Sequence, residues 1–127
     1  MGFFIVSTIL SFPFSTDLFA QEQQYPTANA GPDQSVKEGD IVVLNGTGSF
    51  DPGGKIVSYS WGIEDSDDDA PAISLNGQNT SSATFTAPMT VGNVSSNSYL
   101  FELNVTDNDG LLSSDTTKVI VKDARAE

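Results

Sequence analysis

The sequence predicts an all-β fold, an antiparallel β-sandwich of about seven strands, on three observations. Two stretches, Ile56–Ile63 and Ser98–Thr106, alternate apolar and polar residues with a period of two. Gly, Ser, Thr, Asn and Asp are abundant between the apolar runs while helix formers are scarce. The single tryptophan, Trp61, stands in the middle of the first alternating stretch, where a large aromatic centres a sandwich core.

In chain order, Met1–Ala20 differs from everything after it. Gly2–Phe12 is apolar and uncharged, Asp17 ends the uncharged run, and Gln21-Glu22-Gln23-Gln24 follows Ala20. This pattern reads as a secretory signal cleaved after Ala20. No Lys or Arg precedes the apolar run, and Leu18 departs from the small residue that cleavage sites favour at that position. The run is short for a membrane span, so contact with a membrane is expected only through an uncleaved leader. Residues 21–27 form a polar linker, 28–123 the domain, and 124–127 a tail or the start of another linker.

Within the domain, Ala28–Asp33 is a Gly-Pro-punctuated approach, Gln34–Lys37 a short edge strand, and Glu38-Gly39-Asp40 a turn. Ile41–Asn45 is a strand with Val42 and Leu44 inward. Asp51-Pro52-Gly53-Gly54 combines a fixed φ at proline with two glycines free to take positive φ, which marks a turn. The following strand puts Val57, Tyr59, Trp61 and Ile63 on one face. Glu64–Ala70 carries too many carboxylates for a strand at low cost and reads as a loop. Ile73–Leu75 is a short strand, Asn76-Gly77 a turn, and Ala83–Pro88 a strand with Phe85 inward. Ser98–Thr106 turns Tyr99, Phe101, Leu103 and Val105 inward. Asp107-Asn108-Asp109-Gly110 is a hairpin, and Ser114–Lys122 is the last strand, with Thr117, Val119 and Val121 inward. The core therefore centres on Tyr59, Trp61, Phe85, Phe101, Leu103 and Val105.

Composition excludes several functions. With no cysteine and no histidine the chain has no thiol nucleophile, no Ser-His-Asp triad, no disulfide and no common zinc ligand set. A formal charge of −12 repels nucleic acid. The same charge suits divalent cations and basic partners. No pair of carboxylates is placed in a cleft as glycoside hydrolysis requires, so no enzyme activity is expected.

Two acidic stretches are candidate cation sites. Asp65-Ser66-Asp67-Asp68-Asp69 spaces carboxylates as in the start of a calcium loop, but Ala70 and Asn76 stand where an EF-hand needs glycine and glutamate. The other candidate pairs Asp51 and Asp107, because the turns that carry them can meet at one end of a sandwich; their bland reading is turn capping through backbone N–H groups. Asn45-Gly46-Thr47, Asn79-Thr80-Ser81, Asn93-Val94-Ser95 and Asn104-Val105-Thr106 match the N-glycosylation acceptor pattern, which a composition rich in Asn, Ser and Thr also produces by chance.

The residues Val42-x-Leu44-x-Gly46-x-Gly48-Ser49-x-Asp51-Pro52, Ile56-x-x-Tyr59-x-Trp61, Phe85-Thr86-Ala87-Pro88, Leu103-x-Val105-Thr106-Asp107-Asn108-Asp109-Gly110 and Val119-x-Val121, preceded by Ala28–Asp33, resemble the polycystic kidney disease (PKD) domain in order and spacing. The resemblance spans Asn29–Lys122. It implies an immunoglobulin-like β-sandwich in a secreted or cell-surface protein, often one module among several. Many members follow the tryptophan with Asp-Phe-Gly-Asp-Gly; here Gly62-Ile63-Glu64-Asp65 follows Trp61, as in a branch with a longer central loop. Relatives attached to collagenases bind calcium near the segments of Asp51 and Asp107, and the resemblance adds Asn29 as a further oxygen ligand. The expected function is a non-catalytic extracellular module for adhesion, spacing or protein contact at a cell surface, with protein or carbohydrate as partner. The alternatives are a substrate-targeting module of a secreted hydrolase, for which only Tyr25 and Phe50 read as exposed aromatics, and a structural unit of a surface layer or filament associating through an edge strand.

Overall fold

The computed structural model describes residues 23–124. The leader read over Met1–Ala20 and most of the tail lie outside them.

Six strands form among the described residues: β1 Gln34–Lys37, β2 Ile41–Asn45, β3 Ile56–Ser66, β4 Ser82–Thr86, β5 Ser96–Asp107 and β6 Leu112–Lys122. They make a four-stranded sheet in the order β1-β6-β5-β3 and a two-stranded sheet of β2 and β4. The all-β sandwich inferred from the sequence is therefore correct. One pairing is not antiparallel: β1 lies parallel to β6, with Gln34 opposite Val119 and Lys37 opposite Lys122.

The core lies between the sheets. From the four-stranded sheet come Trp61, Tyr99, Phe101, Leu103, Val105, Val119 and Val121; from the other come Val42, Leu44, Ala83 and Phe85, all buried, with Tyr59 half-buried against them. Phe85 and Phe101 bridge the sheets with ring centroids 5.2 Å apart. At about 25 cal/mol per Å² of buried apolar surface, such aromatics dominate the burial energy. Trp61 donates its indole N–H to the Thr80 carbonyl at 3.1 Å, so its one polar atom is satisfied in the core. Its ring explains Gly46: a Cβ there would lie 2.7 Å from Leu103 Cδ2 and 3.1 Å from Trp61 Cζ2.

Three local expectations are corrected. β3 shifts register between Ile56 and Ser58 and again between Ile63 and Asp65. The first irregularity leaves Val57 55 % exposed and turns Ile56 towards the core in its place, because one extra residue inverts the alternation beyond it. Glu64 and Asp65 belong to β3 and not to a loop. β3 is the edge of its sheet, so these carboxylates stay in water, which removes the cost that argued against a strand. Ile73–Leu75 forms no strand; only Asn76 makes a bridge, to Thr84, while Ile73 and Leu75 pack on the core from a loop.

Candidate functional site

The turn before β3 and the hairpin after β5 meet at one end of the sandwich, because Ile56 and Asp107 are opposite each other in the β3–β5 ladder. Asn108 donates its N–H to the Lys55 carbonyl and accepts the Lys55 N–H on its own Oδ1, both at 3.0 Å. Gly54 makes room for this contact: a Cβ on it would run into Asn108 Oδ1 and lie 3.1 Å from Asp51 Oδ2. Asn108 is a functional residue that the sequence does not single out. Its signal was present, an amide in a hairpin tip, but the partner is 53 residues away.

Within the two turns, each aspartate caps backbone with one oxygen. Asp51 Oδ1 accepts the Gly53 N–H at 3.1 Å. Asp107 Oδ1 accepts two, from Asp109 at 2.8 Å and Leu111 at 2.9 Å. The other oxygen of each, Asp51 Oδ2 and Asp107 Oδ2, is buried with no hydrogen-bond partner, and Asp107 as a residue is 1 % exposed. Turn capping thus accounts for half of each carboxylate and leaves the other half unexplained.

Asn29 lies on the strap that leads into β1. Its Oδ1 accepts the Gly31 N–H at 2.9 Å, and its backbone N–H donates to Ser49 Oγ at 2.9 Å. Its amide oxygen thus holds its own turn through one acceptor position. Among the described residues no group of three or more Asp or Glu is arranged to hold a metal ion.

The second acidic stretch has a different character. Asp65 Oδ1 accepts the Ser66 N–H at 2.9 Å, and Asp67 Oδ2 accepts the Ser98 N–H at 2.8 Å while its own N–H returns to the Ser98 carbonyl. Asp68 and Asp69 face solvent. Asp65, Ser66, Asp67, Ser98, Leu100 and Lys118 line a shallow recess there. Nearby, burial and then the Asp67 charge raise the pKa of Tyr99, whose hydroxyl donates to the Pro71 carbonyl at 2.7 Å. Of the four acceptor-pattern asparagines, Asn45, Asn79 and Asn93 are exposed; Asn104 is half-buried on the outer face of β5 and donates to Glu102 Oε1 at 3.2 Å.

The family described as "K319L-like, PKD domain" matches residues 30–121. No curated protein matches the chain. Among solved structures, the PKD domain from KIAA 1837 protein is similar at 32 % identity, with 84 % of this chain and 96 % of that one covered and a TM-score of 0.63. A structure of carbohydrate-binding modules from the β-sandwich superfamily is similar at 29 % identity over 82 % of this chain and 37 % of that one, TM-score 0.56. The PKD1 domain of Vibrio anguillarum Epp shares the fold at 22 % identity, covering 80 % of this chain and 99 % of its own, TM-score 0.55.

Proposed function

The chain belongs to the PKD domain family, and from that premise we propose that it is a non-catalytic extracellular module that spaces and joins the parts of a secreted or cell-surface assembly. The observation that carries this reading is the placement of its two ends. The strap before β1 pairs with Phe50, beside the Asp51 turn, while Asp123 after β6 donates its N–H to the Ser95 carbonyl, at the opposite end of β5. Tension between the two ends therefore runs along the long axis of the sandwich. It pulls β1 towards its own N-terminus and β6 towards its C-terminus. Because these strands are parallel, that pull shears their hydrogen bonds together and does not peel them one at a time.

Force spectroscopy on a tandem array tests this. A cooperative unfolding peak is expected, with its force lowered by proline at Ser35 or Val36. One of these two neighbours directs its N–H at β6, and proline removes it. Unfolding at forces that neither proline changes would overturn the spacer reading. The likeness to carbohydrate-binding modules supports a second role in carbohydrate contact.

We further propose that Asp51 and Asp107 hold a divalent cation of the calcium type, with carbonyls of the two tied turns completing its shell. Calcium takes six to eight oxygens in irregular geometry and would partner the two orphaned carboxylate oxygens. Asn29 Oδ1, which accepts the Gly31 N–H on one lone pair, would offer its second lone pair as a further oxygen ligand. A cation that binds only the folded chain stabilises it by about 2.7 kcal/mol at a hundredfold excess over the dissociation constant. Calcium should raise the melting midpoint over chelator. Asp51→Asn and Asp107→Asn should abolish that rise, and Asp67→Asn should leave it. Equal midpoints in calcium and chelator sink the site.

A further inference from the structure

At the end where β5 begins, the outer face of the four-stranded sheet carries opposite charges on its two sides. The ladders put Lys118, Leu100 and Asp65 in one row, on β6, β5 and β3. The next row holds Ile120 and Ser98, with Asp67 tied to the Ser98 N–H. A third holds Lys37, Lys122 and Ser96. Val36, Tyr99, Val119 and Val121 pack on the core, so the residues that alternate with them point outward. Asp65, Asp67, Ser98, Leu100 and Lys118 accordingly line one shallow recess. Three of the four lysines among the described residues, Lys37, Lys118 and Lys122, thus share one side of this face, and the acidic run 64–69 borders the other.

Edge protection explains only half of this pattern. Carboxylates on β3 guard a free edge against stray pairing. β6 lies between β1 and β5, so Lys118 and Lys122 guard no edge, and no ion pair engages them among the described residues. An anionic ligand at these lysines would meet Asp65 and Asp67 two strands away and the field of a chain of net charge −12. A cationic one at the carboxylates would meet Lys118. The surface that matches both signs at once is this same face turned over. Lys118 and Asp65 stand one strand spacing, about 4.8 Å, to either side of Leu100. We propose that two copies of the chain pair face to face about a two-fold axis running along β5, so that Lys118 of each meets the partner's Asp65 and Leu100 meets its own copy. Two-fold pairing needs a patch that is complementary to itself, and this row is one. Lys122 and Lys37 then lie over the side that carries Asp67, Asp68 and Asp69. Ser96 and Ser98 on the axis let the sheets approach to about 10 Å, and the half-buried Leu100 and Ile120 supply an apolar centre. The patch is three strands wide and about seven residues long, roughly 10 by 20 Å. That is well below the roughly 800 Å² per partner of a standard interface. The pair is therefore weak, micromolar to millimolar, and forms where copies are held close together. It depends neither on the cation site nor on a pull at the module's ends.

The test is sedimentation equilibrium of the chain from micromolar to millimolar concentration, with two charge-reversed variants. Lys118→Glu/Lys122→Glu makes the face acidic throughout, and Asp65→Lys/Asp67→Lys makes it basic throughout. The parent should form dimers that dissociate on dilution. Each double variant should associate with itself at least tenfold more weakly, and an equimolar mixture of the two should restore the dimer. A defect in folding cannot produce that rescue. Should the basic variant lower the urea midpoint, Asp68→Lys/Asp69→Lys replaces it, since those carboxylates hold no backbone. Three results overturn the proposal. They are a parent that stays monomeric at millimolar concentration, a dimer that survives both double variants, and folded variants whose mixture does not associate.

Discussion

Both ends of the sandwich carry carboxylates and use them in opposite ways. At the far end, where β5 begins, they are spent on backbone donors. Asp67 Oδ2 takes the Ser98 N–H, Asp40 Oδ2 the Lys37 N–H, and Glu38 Oε2 both the N–H and the hydroxyl of Thr90. At the near end, where β5 finishes, Asp51 and Asp107 each leave one oxygen buried and unpartnered. A carboxylate that closes a turn adds stability. One that keeps a buried oxygen unsatisfied loses it, unless something else supplies the missing charge. The far end uses its carboxylates to close backbone, and the near end holds the two orphaned oxygens on which the proposed cation site rests. β3 runs from one end to the other and lets the contrast be measured in a single fold.

The largest effect lies between the ends and sets the scale. Trp61→Ala empties a core position on β3 and should cost about 3–5 kcal/mol in urea unfolding. Loosening both ends together, it gives the reference for a global defect. Next comes Asp107→Ala, which strips the acceptor from two backbone N–H groups and should cost about 2 kcal/mol in chelator. Asp107→Asn keeps an oxygen for both bonds and removes the buried charge, so it should cost much less than alanine. If the two variants are equally destabilised, the orphaned oxygen carries no penalty and the contrast between the ends fails.

How far the sequence displays this varies by element. β5 was legible almost residue by residue, since it lies between two partners and every second side chain enters the core. β3 was legible in its middle and misread at its ends, because an extra residue in a strand leaves no mark in composition yet moves Val57 out and Ile56 in. Of the acidic run, Asp67–Ala70 is the loop the sequence predicts, while Glu64 and Asp65 extend β3, because propensity ignores whether a strand lies at an edge. The parallel β1–β6 pairing was invisible: four residues with little alternation say nothing of direction. At the near end the sequence offered Asp51 and Asp107 as a pair. Asn108, which ties their turns, escaped because its bond to Lys55 joins distant parts of the chain.

A smaller effect is expected at the far end. Asp67→Ala removes the acceptor for the Ser98 N–H at a position open to water, which can replace the lost partner, so the cost should be about 1 kcal/mol or less. Asp68→Asn and Asp69→Asn touch nothing and should fall within about 0.5 kcal/mol of the parent. A loss at Asp67 as large as that for Asp107→Ala would erase the distinction between the ends.

The smallest effect is a pH dependence, and it belongs to Glu38. Donation from the Thr90 N–H, and then from its hydroxyl, holds the Glu38 carboxyl below its ordinary value of 4.5, against partial desolvation and the Asp123 charge, which push it up. A group whose pKa is lower in the folded chain favours folding when it is ionised in both states. Its contribution is full above the unfolded value and disappears as pH falls through the folded one. The window therefore lies below about pH 4.5, and at neutral pH Glu38 should show no pH dependence. Comparing the parent with Glu38→Gln isolates it from the other acids. The difference in midpoint between the two should be constant from pH 7 to pH 5 and shrink as pH falls below that. A difference that stays constant down to pH 3 would mean that the bonds to Thr90 do not favour the ionised form. The far end would then lose its most doubly bonded carboxylate as an example of charge put to structural use.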